Sequence, residues 1–481
     1  EATGDINLLS VAAASEKEPS YAPKSVIKVQ HIIADTVKLE TEDGSILKDM
    51  DYAKDPKVFS GVRAHDITLL ANGETSDIGQ DNPNNSEDST GWLYLDPLVK
   101  DGQGGIMDVH AGRTLSVKSD IAITGGKGFV ADKGNLNIET KENIHTDTMS
   151  AEKGAIMVKT AGEVTVAGAV KARDNIRIIT DKSVSIGGDM TAGSIGKGNI
   201  DVKAKEGVLI RGDVKAGPDE GSVSFEAAGG IHIDGNIKTG AEKGSVTLST
   251  QNMDGKAGEI KVGGITSQDS VTLTAQEGTT DALHSGSIAV GSIEIKKGDL
   301  AVHSASGAIQ MNSVALNGKV ELVAKKDIQA ASAQNLQVTN VSSQDGQIAL
   351  SVTGAGNTLQ VDKAAASTGF AGKADHIHVA EIKQTDNATA PLQVELHAAD
   401  GGEAQDIRAG IASSQGIVLK DLHAADAHIA ADSDYLQVKN GEVSHELDLT
   451  GKNGKLIAQD QSFSLGDADG LLQIGSGLNF T

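Results

Sequence analysis

The histidines and the acidic turns are the groups whose type and spacing come nearest to chemistry. His376 and His378 lie two residues apart, which sets two imidazoles on one face of a strand. The strings Leu396-His397-Ala398-Ala399-Asp400 and Leu422-His423-Ala424-Ala425-Asp426 repeat, and would align His397 with His423 if they stacked as neighbouring rungs. Imidazoles so grouped can ligate divalent metals. Nothing else among the 13 His resembles a zinc-ligand set, and the chain has no Cys. A solvated ladder is therefore expected, with no metal or cofactor assigned. Asp432-Ser433-Asp434, Asp467-Ala468-Asp469-Gly470 and the stretch 81–88 offer oxygen ligands for a weakly held structural calcium. None fits an EF-hand loop, and Gly125-Gly126-Lys127-Gly128-Phe129-Val130 lacks the Asp of the calcium nonapeptide.

Five residues are candidates for recognition. Arg211-Gly212-Asp213 is a tripeptide that some integrins read on a flexible loop, but here Gly212 fills the slot of a recurring Gly. Arg211 and Asp213 are then expected to project from a rigid corner, a poor presentation for a receptor cleft. Trp92 and Tyr94, within Trp92-Leu93-Tyr94-Leu95, belong to a polar insert and suit either partner binding or the covering of an exposed edge. No catalytic residue is assigned, because the sequence holds no Ser/His/Asp elbow, P-loop or dinucleotide fingerprint.

Composition narrows the partners. Sixty-six acidic against 42 basic residues give a formal charge of -24, which repels phosphate backbones and anionic membranes. Aromatics are only 2%, too few for a base-stacking platform, so nucleic acid is excluded as a partner. The absence of Cys excludes disulfide staples and thiol catalysis. No apolar run approaches the roughly 18 residues of a bilayer span, so no membrane insertion of this segment is expected. Glu1 opens the chain without a basic, apolar leader, as in a processed protein or a fragment.

The elements that must position these groups come from a repeat. Units run Ile156-x-Val158 then Val164-x-Val166-x-Gly168-x-Val170, and Ile176-x-Ile178 then Val184-x-Ile186-x-Gly188-x-Met190. The same order returns in Ile200-x-Val202 then Val208-x-Ile210-x-Gly212-x-Val214, and in Val223-x-Phe225 then Ile231-x-Ile233-x-Gly235-x-Ile237. Openings at 115, 136, 156, 176, 200, 223 and 246 give coils of about 20–25 residues. Apolar and polar residues alternate with the period of a half-buried strand, and no stretch sustains helical spacing. One unit cannot bury enough surface to fold alone, so successive units must stack. The expected fold is all-β, a right-handed parallel β-helix of short strands with loop excursions. Gly168, Gly188, Gly212 and Gly235 are each placed at a corner.

The expected organisation is an extended lead-in over 1–25, then N-terminal coils or a cap over 26–110 with a polar insert at 72–105. A regular β-helix follows over 111–340. The remainder, 341–481, reads as an irregular continuation or a separate C-terminal β region, a β-sandwich being the competing form. The insert 72–105 is expected to leave the rod as a loop or hairpin, and 251–258 and 276–285 are expected to be long turns.

Units such as Gly198-Asn199-Ile200-Asp201-Val202-Lys203-Ala204 and Gly244-Ser245-Val246-Thr247-Leu248-Ser249-Thr250 resemble the rods of filamentous-haemagglutinin-like adhesins of two-partner secretion, with autotransporter passengers next. The resemblance covers about 111–330 well and the rest loosely. Asn82-Pro83-Asn84 sits in a polar insert, so the role of that family's Asn-Pro-Asn motifs is not carried over. The resemblance implies export through an outer-membrane translocator and display as a secreted or bacterial cell-surface rod. It also implies non-catalytic attachment to a host-cell or matrix receptor or glycan, or to sibling cells. Two alternatives share the fold. One is a self-associating biofilm or spacer protein. The other is a polysaccharide lyase or hydrolase, which would need clustered carboxylates, basic groups and aromatics under the sugar. Six Arg, with Arg173, Arg177 and Arg211 near Asp174 and Asp213, allow a mixed-charge patch, but the scarcity of aromatics argues against a sugar cleft.

Overall fold

In the computed structural model the described residues are 123–253, 256–276, 286–386, 388–398, 405–433, 435–439 and 441–451, with shorter stretches, mostly strands, over 5–119 and 454–480. The described residues form strands and no helix, and the strands pair in parallel as a β-solenoid. The chain divides into two compact units, Glu1–Ser245 and Val246–Thr481.

The first unit carries three parallel ladders per regular coil. One runs Leu115, Leu136, Ile156, Ile176, Ile200, Val223. The second runs Ile144, Val164, Val184, Val208, Ile231, and the third Phe129, Met149, Val170, Met190, Val214, Ile237. Every one of these side chains is at most 2% exposed, so the alternation of the sequence is the alternation of inside and outside. β-branched side chains suit this role, because they pack on a pleated surface with little rotamer freedom to lose.

Some of the polar residues that enter the interior sit at bends, where they serve the backbone. Thr160 and Thr180 are buried, and each accepts the N–H two residues on, Gly162 at 2.9 Å and Lys182 at 3.0 Å. Each also donates to a carbonyl of the preceding coil, Glu142 and Gly162 respectively. A bend that would otherwise bury unpaired peptide groups is thereby satisfied.

Gly168, Gly188 and Gly212 fall between strands, at corners. Gly235 instead lies inside one continuous strand, Ile231–Lys238, whose two ends pair separately with Val208–Ile210 and Val214–Lys215. None of the four takes a left-handed dihedral; the positive-φ glycines are elsewhere, at Gly193 and Gly196 for example. Close approach between coils sets the requirement: a Cβ on Gly212 would stand 2.4 Å from Asp189 Oδ1 and 2.6 Å from the Gly188 carbonyl carbon.

The insert 72–105 is not wholly an excursion. Leu93–Pro97 is a strand of the stack, parallel to Gly61–Ala64 on one side and to Val117 and Lys118 on the other, with Leu93 and Leu95 fully buried. Ile78 bridges Ile46 and Leu115 in the same way. Among the described residues there, Val99–Lys100 with Gln103–Gly104 forms an antiparallel hairpin. The turn at 251–258 is likewise a short hairpin, Asn252–Met253 with Lys256–Ala257.

The second unit holds an uninterrupted ladder through Ile260, Ile288, Ile309, Ile328, Ile348, Phe370, Val394, Leu419 and Val438. Parallel stacking therefore continues beyond 340, where the repeat fades from the sequence. The fading has a structural cause. The register shifts between Val320 and Glu321, Val379 and Ile382, Val394 and Glu395, and Ala424 and Asp426, and each bulge changes the phase of the inside-outside alternation.

Candidate functional site

Trp92 lies outside the described residues. Tyr94 is the second residue of the strand Leu93–Pro97, its Cα opposite Gly61 and Lys118. The structure thus puts Tyr94 in the ladder.

Arg211, Gly212 and Asp213 form the corner between Val208–Ile210 and Val214–Lys215. The Arg211 N–H donates to the Ile186 carbonyl at 2.9 Å. Both oxygens of Asp213 are engaged: Oδ1 accepts the Asn236 N–H at 2.9 Å and Oδ2 lies 3.0 Å from Lys215 Nζ. The Asn236 N–H first, and then Lys215, hold the Asp213 carboxyl below the usual carboxylate range. A carboxylate bound in this way is part of the stack's own hydrogen bonding, which accounts for its position without a receptor.

The same device recurs along the solenoid. Asn175 Oδ1 accepts the Asn199 N–H and Asn199 Oδ1 accepts the Ser222 N–H, both at 2.8 Å. In the second unit Asp299 Oδ1 accepts the Lys319 N–H at 2.8 Å and Asp327 Oδ1 the Gln347 N–H at 2.9 Å. Each polar residue stands just before a strand and supports the next coil. Outward charges pair across coils too, as in Lys182 with Glu206 at 2.9 Å and Lys203 with Glu226 at 3.2 Å.

The histidines of the second unit are organised further than their spacing announced. His376 and His378, on the strand His376–Gln384, converge on Asp406 of the next coil: His376 Nδ1 is 2.6 Å from Oδ1 and His378 Nε2 is 2.9 Å from Oδ2. Arg408 Nε lies 3.4 Å from Oδ2 as well. Burial pushes the Asp406 carboxyl up, but the hydrogen bonds from His378 and His376 and their charge outweigh it, and the carboxyl titrates below its ordinary value.

His397 and His423 do stack. They are register partners, with ring centroids 4.8 Å apart and planes 25° from parallel. Asp421 bridges their edges, with Oδ2 3.0 Å from His397 Nε2 and Oδ1 2.8 Å from His423 Nε2. The bulge opposite Val394 and Glu395 produces this arrangement. Leu419 faces Val394 and Asp421 faces Glu395, so Lys420 is the extra residue, and its ammonium sits 2.6 Å from Glu395 Oε1. That hydrogen bond, then the Glu395 charge, raises the Lys420 pKa. Asp406 and Asp421 were not identified as partners in the sequence, where neither stands out from the other acidic residues. The available signal was the repeat Leu-His-Ala-Ala-Asp, which fixed the registration of the two histidines.

No protein-family model matches this chain, and no match was found among curated proteins or solved structures.

Proposed function

We propose that this chain is a non-catalytic display scaffold, an adhesin rod of secreted or bacterial cell-surface type that attaches to host cells, matrix or sibling cells. The observation that carries the reading is the ladder from Ile260 to Val438, in which one buried apolar position per coil repeats without a break. Coils built this way place outward side chains at a fixed spacing of about 4.8 Å, and a partner reading successive coils gains affinity by multivalency. The Cys-free composition and the resemblance of units such as 198–204 to filamentous-haemagglutinin-like exoproteins support export through an outer-membrane translocator. Beads coated with the purified chain test the reading. Saturable attachment to epithelial cells, matrix or bacteria, with no release of sugar ends, is the expected result. Release of unsaturated or reducing ends from acidic polysaccharides, without attachment, would replace it with the enzyme.

A further inference from the structure

We propose that His397, Asp421 and His423 form a binding site for a borderline divalent transition metal of the zinc class. These residues meet because a bulge at Lys420 restores the outward phase in time for Asp421 and His423 to face the exit of His397. Both imidazoles present Nε2 to the same carboxylate, at 3.0 and 2.8 Å, and the three ligand atoms all lie within 4.8 Å of one another. Ligands held about 2.0–2.2 Å from one tetrahedral zinc stand roughly 3.0–3.5 Å apart, so the two nitrogen-oxygen separations need only small movements.

Ligand chemistry selects the class of ion. Two imidazoles with one carboxylate suit zinc, copper, nickel or cobalt, whereas calcium and magnesium require oxygen-rich shells. All three side chains are about one-third exposed, which gives an ion access from solvent and leaves its remaining positions to water or to a group on a bound partner. The cluster of His376, His378 and Asp406 does not bring its three ligand atoms within 4.8 Å of one another, and it differs in charge as well. Arg408 Nε lies 3.4 Å from the shared carboxylate there, so a side-chain cation already faces it. Lys420, the nearest cation to Asp421 along the chain, gives its hydrogen bond to Glu395 and acts on Asp421 only through its charge. The column position before His397 belongs to Lys373.

Titration of the full chain with Zn2+ by calorimetry, and with Co2+ by visible absorption, tests the site. The expected result is one Zn2+ bound with a histidine-dependent Co2+ spectrum. His423→Ala and His397→Ala should each weaken binding roughly tenfold or more, and Asp421→Asn should weaken it while keeping the side-chain shape. The double variant His376→Ala with His378→Ala should bind as the parent does. Circular dichroism and an unchanged melting midpoint establish that each variant is folded. Unaltered Zn2+ affinity and Co2+ spectrum in both His397→Ala and His423→Ala would overturn the proposal. Loss of the signal only in the His376 and His378 double variant would overturn it too, as would absence of binding by the parent.

Discussion

Asp189 Oδ1 accepts the backbone N–H of Asp213 at 2.9 Å, and Asp213 repeats the act one coil later for Asn236. The side chain at this corner is therefore a hydrogen-bonding link between coils. Asp213→Ala removes the acceptor and should lower stability by about 0.5–1.5 kcal/mol. Asp213→Asn keeps an oxygen in place, as Asn199 does for the Ser222 N–H on a neighbouring ladder, and should cost less than half of that. Urea midpoints of the two variants check the order. Equal losses would mean that charge rather than the acceptor matters.

The glycine beside it gives a second prediction. At Gly212 an added methyl would press on Asp189 Oδ1 and the Gly188 backbone, so Gly212→Ala should destabilise by roughly 1–3 kcal/mol. Gly207 lies one strand earlier, and its nearest neighbour to an added Cβ is the Gly230 carbonyl oxygen at 3.4 Å. Gly207→Ala should be neutral or slightly stabilising, because it reduces the freedom of the unfolded chain at no steric cost. Thermal melts of both proteins separate close approach from a general intolerance of substitution.

Aliphatic burial carries the largest single-site effects. Ile186 is fully buried in the ladder and pairs with Val166 and Ile210, so Ile186→Ala should cost about 2–4 kcal/mol through lost burial and the cavity left behind. Ile195, of the same residue type, is 73% exposed, and Ile195→Ala should leave stability within about 0.5 kcal/mol of the parent. Stability is shared between neighbouring coils in such a stack, so amide exchange in Ile186→Ala should accelerate most in the coils beside it.

Much of this architecture was legible because inside and outside alternate with a constant period in the regular coils. Val184, Val208 and Ile231, spaced 24 and 23 residues apart, stand in one column as the repeat requires. Where the period slips, reading failed for a definable reason. The strand Leu93–Pro97 sits in a polar stretch, and its Leu93 and Leu95 are two apolar positions with no neighbouring unit to align them. Beyond 340 the bulges move the phase by a residue, which defeats any fixed template although pairing continues. The carboxylates that organise the histidines were hidden more deeply. Asp406 is 28 residues from His378, and Asp421 is 24 from His397, so only the registration of coils brings them together.

Acid should expose the contribution of Asp406. Its carboxyl titrates below its ordinary value in the folded chain, held there by His378 and His376 against the opposing effect of burial. A depressed folded value means that the unfolded chain binds the proton more readily. The stabilisation is present above the unfolded carboxyl value of about 3.9 and is lost as pH falls through the folded one. Asp406→Asn abolishes that dependence and also removes the charge that His376, His378 and Arg408 share, so it should cost roughly 1–2 kcal/mol at pH 7. At pH 3 and below the parent approaches the variant as its own carboxylate protonates. Urea midpoints at pH 7, 4 and 3 read the convergence. A gap that stays constant across this range would show that Asp406 acts through its hydrogen-bonding pattern and that its charge holds nothing.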